Sequence, residues 1–368
     1  MRLTAGPGIA VIAFPVQRAR RGIDEDNNMQ SPDTITLTLE EVDRLTSAAL
    51  LGAGTREANA RPVTASIVAA EAEGLQSHGL LRLPTYCEHV KCGKVDGRVE
   101  PVVTSPRASA VVVDARSGFA HPAIDLGFRH LVPAARSSGI AALAVTNSYN
   151  CGVVGYHVER LAREGLVALA YVNAPAAIAP WGGRKAFFGT NPIACAVPRK
   201  SGAPLVIDQS SSVVARGEVM LHAQQGKPIP EGWALDGEGR PTTDPKAALA
   251  SGSMLPAGGY KGAGVALMVE IMAAALTGAN FSHSASSFAD NKGGPPNTGQ
   301  FFIAVDPAAF AGGAFAGRVE SLFAAMCSEP GVRLPGTRRE AARTRTRTEG
   351  VTIKRALHDD IQKRAKSH

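Results

Sequence analysis

Between residues 108 and 306, short β-branched runs alternate with apolar segments of helical period, and this alternation constrains the fold more than any other feature of the chain. Ala110-Val111-Val112-Val113-Asp114, Ala141–Val145 and Leu166–Val172 read as strands, and the segments around 122–138 and 154–164 read as the helices between them. Further strands are expected at 192–197, 204–208 and 301–305, with a long apolar helix at 264–277. The pattern predicts an α/β sheet domain. Before it, Thr38 and Glu41 have the spacing of a capping box, with Val42, Leu45, Ala49 and Leu50 following at helical spacing until Gly52 and Gly54. A second helix is expected from about Thr64 to Glu73. From Pro307 the chain turns helical again, so its two ends are expected to pack together as one helical domain around the inserted sheet.

A chain of 368 residues is long for one core and suggests two packed units. The expected division is 29–105 and 307–368 for the helical domain and 106–306 for the sheet domain. Residues 1–28 are read as a disordered or non-native extension. Their apolar run Gly8–Phe14 is short, is flanked by Pro7 and Pro15 and is followed by Arg18, Arg20 and Arg21, so it neither spans a bilayer nor makes a good signal peptide.

The net charge of +7 is concentrated at one end. Eleven Lys/Arg and four Asp/Glu lie between Arg333 and His368, which leaves the preceding residues neutral overall. A solvated basic tail is the favoured reading, and an arm for nucleic acid or an acidic surface the minor one; no RNP-like or zinc-finger spacing accompanies it. The five cysteines, Cys87, Cys92, Cys151, Cys195 and Cys327, form no CxxC pair. Their spacing argues against a metal site or a disulfide framework and points to a reducing, cytoplasmic setting.

Chemistry is concentrated in Ser77-His78-Gly79 with Arg82. If the chain turns once between them, a group that trades protons near neutrality lies beside one that grips a carboxylate through two hydrogen bonds. Gly6-Pro7-Gly8 and Gly52-Ala53-Gly54 lack the strand, helix and third glycine of a dinucleotide fingerprint, and GxxxxGK[ST], HExxH and GxSxG are absent. Three other glycine-rich turns could bring backbone amides to an anion: Asn150-Cys151-Gly152-Val153-Val154-Gly155, Trp181–Arg184 with Gly189-Thr190-Asn191-Pro192, and Gly258-Gly259-Tyr260-Lys261-Gly262. Asp208-Gln209-Ser210-Ser211-Ser212 and Asp290–Asn297 are too polar for simple connectors.

Taken in order, Ser77-His78-Gly79 with Arg82, Thr146-Asn147-Ser148, Gly189–Pro192, Val214-Ala215-Arg216-Gly217, Ile229–Asp236, Pro241–Pro245 and Gly258–Gly262 resemble the malate/L-lactate dehydrogenase-like oxidoreductases. The resemblance spans about 38–362 and is closest to the Δ1-piperideine-2-carboxylate/Δ1-pyrroline-2-carboxylate reductases. It implies a non-Rossmann, mixed-sheet cofactor domain and a homodimeric enzyme that uses NADPH, with NADH as the alternative. It also implies His78 as proton donor, Ser77 orienting it and Arg82 binding the substrate carboxylate. A relay acid is expected at Glu218, with Asp208 the alternative. Cofactor contacts map to Asn150, Cys151, Gly152, Val153, Val154, Thr190, Asp208, Gln209, Ser210, Gly259, Tyr260, Lys261, Pro335 and Gly336, with Arg338, Arg339 or Lys261 as partners for a 2′-phosphate.

Many hydroxy-acid members carry a histidine after the Asn-Ser pair, where this chain has Tyr149-Asn150-Cys151-Gly152. That departure, with the loop Phe288–Pro296, favours reduction of cyclic ketimine carboxylates to L-proline or L-pipecolate, hence a place in proline or lysine metabolism. Such a reaction needs a hydride at carbon, a proton at nitrogen and an anchor for the carboxylate. The alternative is a 2-hydroxy-acid dehydrogenase of the malate, lactate or sulfolactate type. Membrane association is not expected.

Overall fold

The computed structural model describes residues 33–366; the reading of 1–28 lies outside them. The chain enters with β1 (Thr34–Leu37), α1 (Leu39–Gly52) and α2 (Glu57–Ala72), then two successive 3-10 turns (Gln76–His78 and Leu80–Arg82) and α3 (Leu83–Lys91). The capping box is present: the Glu41 amide donates to Thr38 Oγ1 at 3.1 Å and the Thr38 amide to Glu41 Oε2 at 2.8 Å. The second helix begins at Glu57, earlier than expected, and runs through Pro62 in its second turn, where the missing amide hydrogen removes one intrahelical bond without ending the helix.

Next come β2 (Val102–Arg107), β3 (Ala110–Asp114), α4 (Ala120–Ser138), β4 (Ile140–Ser148), α5 (Val154–Arg163), β5 (Val167–Val172), β6 (Ile193–Val197) and β7 (Leu205–Gln209). After α6 (Arg216–Gln225), three two-residue strands, β8 (Ala234–Leu235), β9 (Pro241–Thr242) and β10 (Ser253–Met254), form a small separate sheet around α7 (Pro245–Ala250). α8 (Tyr260–Glu270) runs on through a π turn (Ile271–Ala275) and leads to β11 (Thr298–Val305). The chain ends with α9 (Ala308–Ala311), α10 (Phe315–Cys327), α11 (Thr337–Glu349), β12 (Val351–Lys354) and α12 (Arg355–Ala365).

The main sheet has seven strands in the order β2-β3-β4-β11-β5-β6-β7. Only β3 and β4 run parallel, joined by the crossover helix α4, and every other pair is antiparallel. It is a mixed sheet, not a doubly wound parallel one. β11 enters last yet lies at the centre, between β4 and β5. Alternate residues of β3, β5 and β6 are buried against α4 and α5, while the π turn after α8 packs on β5 and β11. The core there holds Ile124, Phe128, Leu131, Leu143, Val158, Leu161 and Phe302, with alanines at 141, 168, 170, 194, 196 and 304 that let the helices approach closely.

A second core draws on both ends of the chain: Leu37, Val42, Leu50, Val63, Ile67, Leu80, Leu83 and Tyr86 pack with Val351, Ile353 and Ile361. β1 and β12 pair antiparallel, Thr34 opposite Lys354 and Leu37 opposite Val351. The basic C-terminal segment is therefore not a free tail, since it contributes a strand and two helices to this unit. No helix among the described residues is long and apolar enough to cross a membrane.

Phe302 is fully buried in the central strand and meets Phe128 edge-on at 5.2 Å between ring centres. Phe302→Ala should cost about 3–5 kcal/mol, read as a lowered urea midpoint with an unchanged m-value; a loss below 1 kcal/mol would mean that β11 is not the structural centre.

Candidate active site

The two 3-10 turns after α2 meet at Gly79. The His78 amide donates to the Leu75 carbonyl at 2.8 Å, and the Arg82 amide to the Gly79 carbonyl at 2.9 Å. The expected single turn is thus two short ones, and they fold Arg82 back on the serine: its Nε donates to the Ser77 carbonyl at 2.9 Å. Ser77 Oγ lies 3.0 Å from His78 Nδ1, which leaves Nε2 as the ring nitrogen for a substrate. Burial first, then the charges of Arg82 and Arg339, push the His78 pKa down to about 4. The imidazole is neutral at pH 7.

The first turn of α6 closes against this motif. A Cβ on Gly217 would stand 3.4 Å from Ser77 Cβ, so the backbone there touches the serine. Beside it, Arg216 is half-buried, and burial and the charge of Arg82 both lower its pKa. Among the described residues neither Arg82 nor Arg216 has a carboxylate partner; Arg82 bonds to a backbone oxygen. Arg216 belongs to a motif visible in the sequence, but its role there went unread, because nothing local says which way it points.

Neither acid expected in the relay hydrogen-bonds to Ser77 or His78. Glu218 is half-exposed and faces His222 at 3.9 Å. Asp208, at the end of β7, accepts from the Gly155 amide at 2.8 Å and faces Arg339 at 3.5 Å. Burial raises the Asp208 pKa against the opposing pull of Arg339 and the Gly155 amide. The carboxylate occupies the N-terminal end of α5, a position that favours negative charge.

The expected cofactor residues fall into two groups. Asn150, Cys151, Gly152, Val153 and Val154 form the turn from β4 into α5: Asn150 Oδ1 accepts from Tyr86 Oη at 2.9 Å and from the Gly152 amide at 2.7 Å. His157 Nε2 donates to the Cys151 carbonyl at 2.8 Å, the ring of His121 lies 5.6 Å from that of His157, and burial pushes the Cys151 thiol up to about 12. Pro335 and Gly336 line a cavity of about 130 Å³ with Arg199, Val206, Arg339 and Arg343, and Arg339 links that cavity to Asp208.

The second group surrounds the start of α8. The Thr190 carbonyl accepts from the Ser211 amide at 2.8 Å, and the Ala257 amide donates to the Ser211 carbonyl at 2.9 Å. Ser210 Oγ bonds to Ser212 Oγ at 2.9 Å, and Gln209 is exposed. Gly259, at φ 66°, caps α8 against the Trp181 ring, while Tyr260 and Lys261 stand exposed. The turn 181–192, expected to join a strand to a helix, instead connects β5 to β6 and is fixed by Asn191, whose Nδ2 bonds to the Ala266 carbonyl and Glu270.

With this geometry in place, the likenesses to known proteins become specific. Residues 37–362 match the family described as malate/L-lactate dehydrogenase. The chain is 50% identical over 326 residues to the (2R)-3-sulfolactate dehydrogenase (NADP(+)) of Chromohalobacter salexigens, covering 89% of this chain and 97% of that protein. It is 40% identical over 333 residues to the Δ1-pyrroline-2-carboxylate reductase of Ancylobacter novellus, covering 90% and 97%. The Δ1-piperideine-2-carboxylate reductase of Pseudomonas syringae pathovar tomato shares the fold with a TM-score of 0.86 at 38% identity, over 90% of this chain and 99% of that one.

His121 and His157 generate a pH test. Burial is the main cause that lowers both, His121 to about 3. Unfolded, each would titrate near 6.5, so between that pH and the folded value the unfolded chain binds protons that the native chain does not, and stability falls on acidification. Urea unfolding at pH 7 and pH 5 should differ by about 2 kcal/mol from His121 alone, with His157 adding in the same direction, and a flat profile would mean that the rings are protonated or solvated in the native protein.

Proposed function

The chain belongs to the malate/L-lactate dehydrogenase family and is an NAD(P)-dependent oxidoreductase, and from that premise we propose that its substrate is a 2-hydroxy acid carrying a second anionic group, with 3-sulfolactate as the example. The observation that carries this reading is the pair Arg82 and Arg216 at the Ser77-His78 turn: Arg82 bonds to the Ser77 carbonyl, Arg216 feels the charge of Arg82 and precedes the Gly217 that touches Ser77, and neither has a carboxylate partner among the described residues. They repel each other, and a ligand that offers each an anion relieves the repulsion. Arg82 takes the carboxylate in a bidentate fork, Arg216 the sulfonate or second carboxylate, and the hydroxyl comes to His78 Nε2.

NADP is the cofactor this reading uses, in keeping with the NADP(+)-linked relative. The cavity beside Pro335 and Gly336 could take at most one anionic group of the dinucleotide: Arg199, Arg339 and Arg343 line it together with Glu159 and Glu340, and each of these arginines is paired with an acid. Of the cations expected for a 2′-phosphate, Arg339 is engaged with Asp208 and Glu73, while Arg338 and Lys261 are exposed. When bound, the nicotinamide takes or returns the hydride of substrate carbon 2.

The chain's own part is proton transfer and orientation. Neutral His78 accepts the hydroxyl proton during oxidation and returns it during reduction. Ser77 holds the ring through Nδ1. The substrate's negative charge offsets the push of Arg82 and raises the proton affinity of His78 once the site is filled. Asp208 acts at one remove, by holding Arg339; Glu218 lies on the far side of the Gly217 contact, facing His222.

Reduction of cyclic imines is the second reading. It is favoured by the absence of a histidine in Tyr149-Asn150-Cys151 and by the reductases at 40% identity, and it leaves Arg216 without an anion to bind. We further propose a cytoplasmic homodimer. The supports are five cysteines free of disulfides and an exposed apolar stripe on α8 and its extension: Leu267, Met268, Ile271 and Leu276. The β1–β12 pairing supports a helical unit drawn from both ends of the chain around the sheet unit proposed for 106–306, although α10, within the 307–368 proposed for the helical unit, packs through Phe323 on Leu205 of the sheet.

Cofactor oxidation with 3-sulfopyruvate, oxaloacetate, pyruvate and Δ1-pyrroline-2-carboxylate separates the readings. The wild type should favour the two dianions, and Arg216→Met should lower kcat/KM for them about 10- to 150-fold, the worth of one charged hydrogen-bonded contact, with little change for pyruvate. Turnover of the imine alone would overturn the dianion reading.

A further inference from the structure

We propose that Glu71, which no role yet described uses, is a positioning residue for the reaction: it fixes the joint between the two 3-10 turns and so sets where His78 stands relative to Arg82. The proposal rests on His78 and Arg82 as the working pair, not on which acid they handle.

Glu71 lies near the C-terminal end of α2 and is almost fully buried beneath the motif. Its Oε1 accepts from the Leu80 amide at 2.6 Å. That amide opens the second turn, and Leu80 is itself fully buried in the helical core, so the bond fixes the chain just after His78 and just before Arg82. Gly79 shows how close the carboxyl comes: a Cβ there would run into Oε1, Cδ and Cγ of Glu71. The glycine is needed for this approach and not for an unusual φ, which is −94°.

The second oxygen, Oε2, is buried and has no hydrogen-bond partner among the described residues. Glu71 has no cationic partner either, unlike Glu73 two residues on. Burial is the first cause that raises its pKa, with the Leu80 amide pulling the other way. A buried acid that makes one hydrogen bond and leaves one oxygen bare is a costly way to stabilise a helix end. Its one contact is to the hinge of the motif, where it determines whether the imidazole and guanidinium converge on the same substrate. A displacement of about 1 Å at such a pair is enough to cost catalysis on the order of a hundredfold.

The test uses the full-length enzyme loaded with NADPH and the best oxidised substrate found for the wild type. Three variants are compared: Glu71→Gln, which keeps the acceptor; Glu71→Asp, which withdraws it by one methylene; and Glu71→Leu, which removes it. Each is measured for kcat, KM, NADPH dissociation constant by fluorescence, and Tm. Expected are kcat/KM within about fivefold of wild type for Gln, a loss of 30-fold or more for Asp and Leu, and NADPH binding within threefold throughout. Wild-type kcat/KM in Asp or Leu would overturn the proposal. So would a loss of NADPH affinity in parallel with turnover, or a Gln variant as impaired as Asp, since either is what general damage to α2 would give. If the Leu variant does not fold, Gln and Asp decide between them. His78→Asn is the control for the underlying reading: full activity in that variant would remove His78 from the reaction, whatever the Glu71 series shows.

Discussion

Two arginines of α11 hold the molecule together where its parts meet. Arg343 reaches Glu73 at the end of α2 at 2.6 Å and Glu159 on α5 at 2.7 Å, and Arg339 reaches Asp208 on β7 at 3.5 Å. One C-terminal helix is thereby bonded to the end of α2, to α5 and to the seven-stranded sheet. The acids are nearly buried, so each depends on its partner: burial alone would raise the Glu159 pKa, and the bonds from Arg343 and Arg163 outweigh it and lower it. Breaking one side of such a cluster leaves an uncompensated buried charge, worth about 3–5 kcal/mol.

The same cluster shapes the chemistry. Asp208 and Glu73 together leave Arg339 close enough to His78 for its charge to press the proton off the ring, in concert with Arg82. An ion network that fastens the C-terminal segment to the sheet thus adds to burial, the main cause, in keeping the imidazole unprotonated. The turn from β4 into α5 is braced from the other side. Lys94, fully buried, donates to the carbonyls of Ser287, Asp290 and Lys292, and His89 bridges Tyr149 to the Asp290 carbonyl. Since a carbonyl only accepts, His89 carries its proton on Nε2. These contacts seat Phe288 against Tyr149, next to Asn150.

Much of this was legible in the sequence because it is local. β3 to β7 and β11 were visible as alternating runs, the capping box as two residues three apart, and the Ser77–Arg82 motif as a tight string. What was hidden depends on distant partners. β1 and β12 are four residues each and gain their identity from each other across more than 300 positions. The net charge read as a solvated tail because composition does not reveal that Arg339 and Arg343 meet acids from α2, α5 and β7. Arg216 was in a recognised motif, yet only the fold sets it beside Arg82. Glu71 lay within an expected helix, and nothing in the sequence but Gly79 pointed to its contact with the Leu80 amide.

The distribution of unpaired charge bears most directly on the choice of substrate. Around His78 the fold supplies cations in excess of acids, with Arg339 compensated and Arg82 and Arg216 not. A monoanion seated on Arg82 would leave Arg216 still half-buried, without a counter-ion, and repelled by its neighbour. In the reaction we propose, a dianion satisfies both cations, and the charge it brings raises the proton affinity of the imidazole assigned to take the proton of its hydroxyl. Binding and proton transfer are then one electrostatic event. The free site keeps His78 neutral first by burial and then by the charges of Arg82 and Arg339, and the carboxylate seated on Arg82 offsets part of that push.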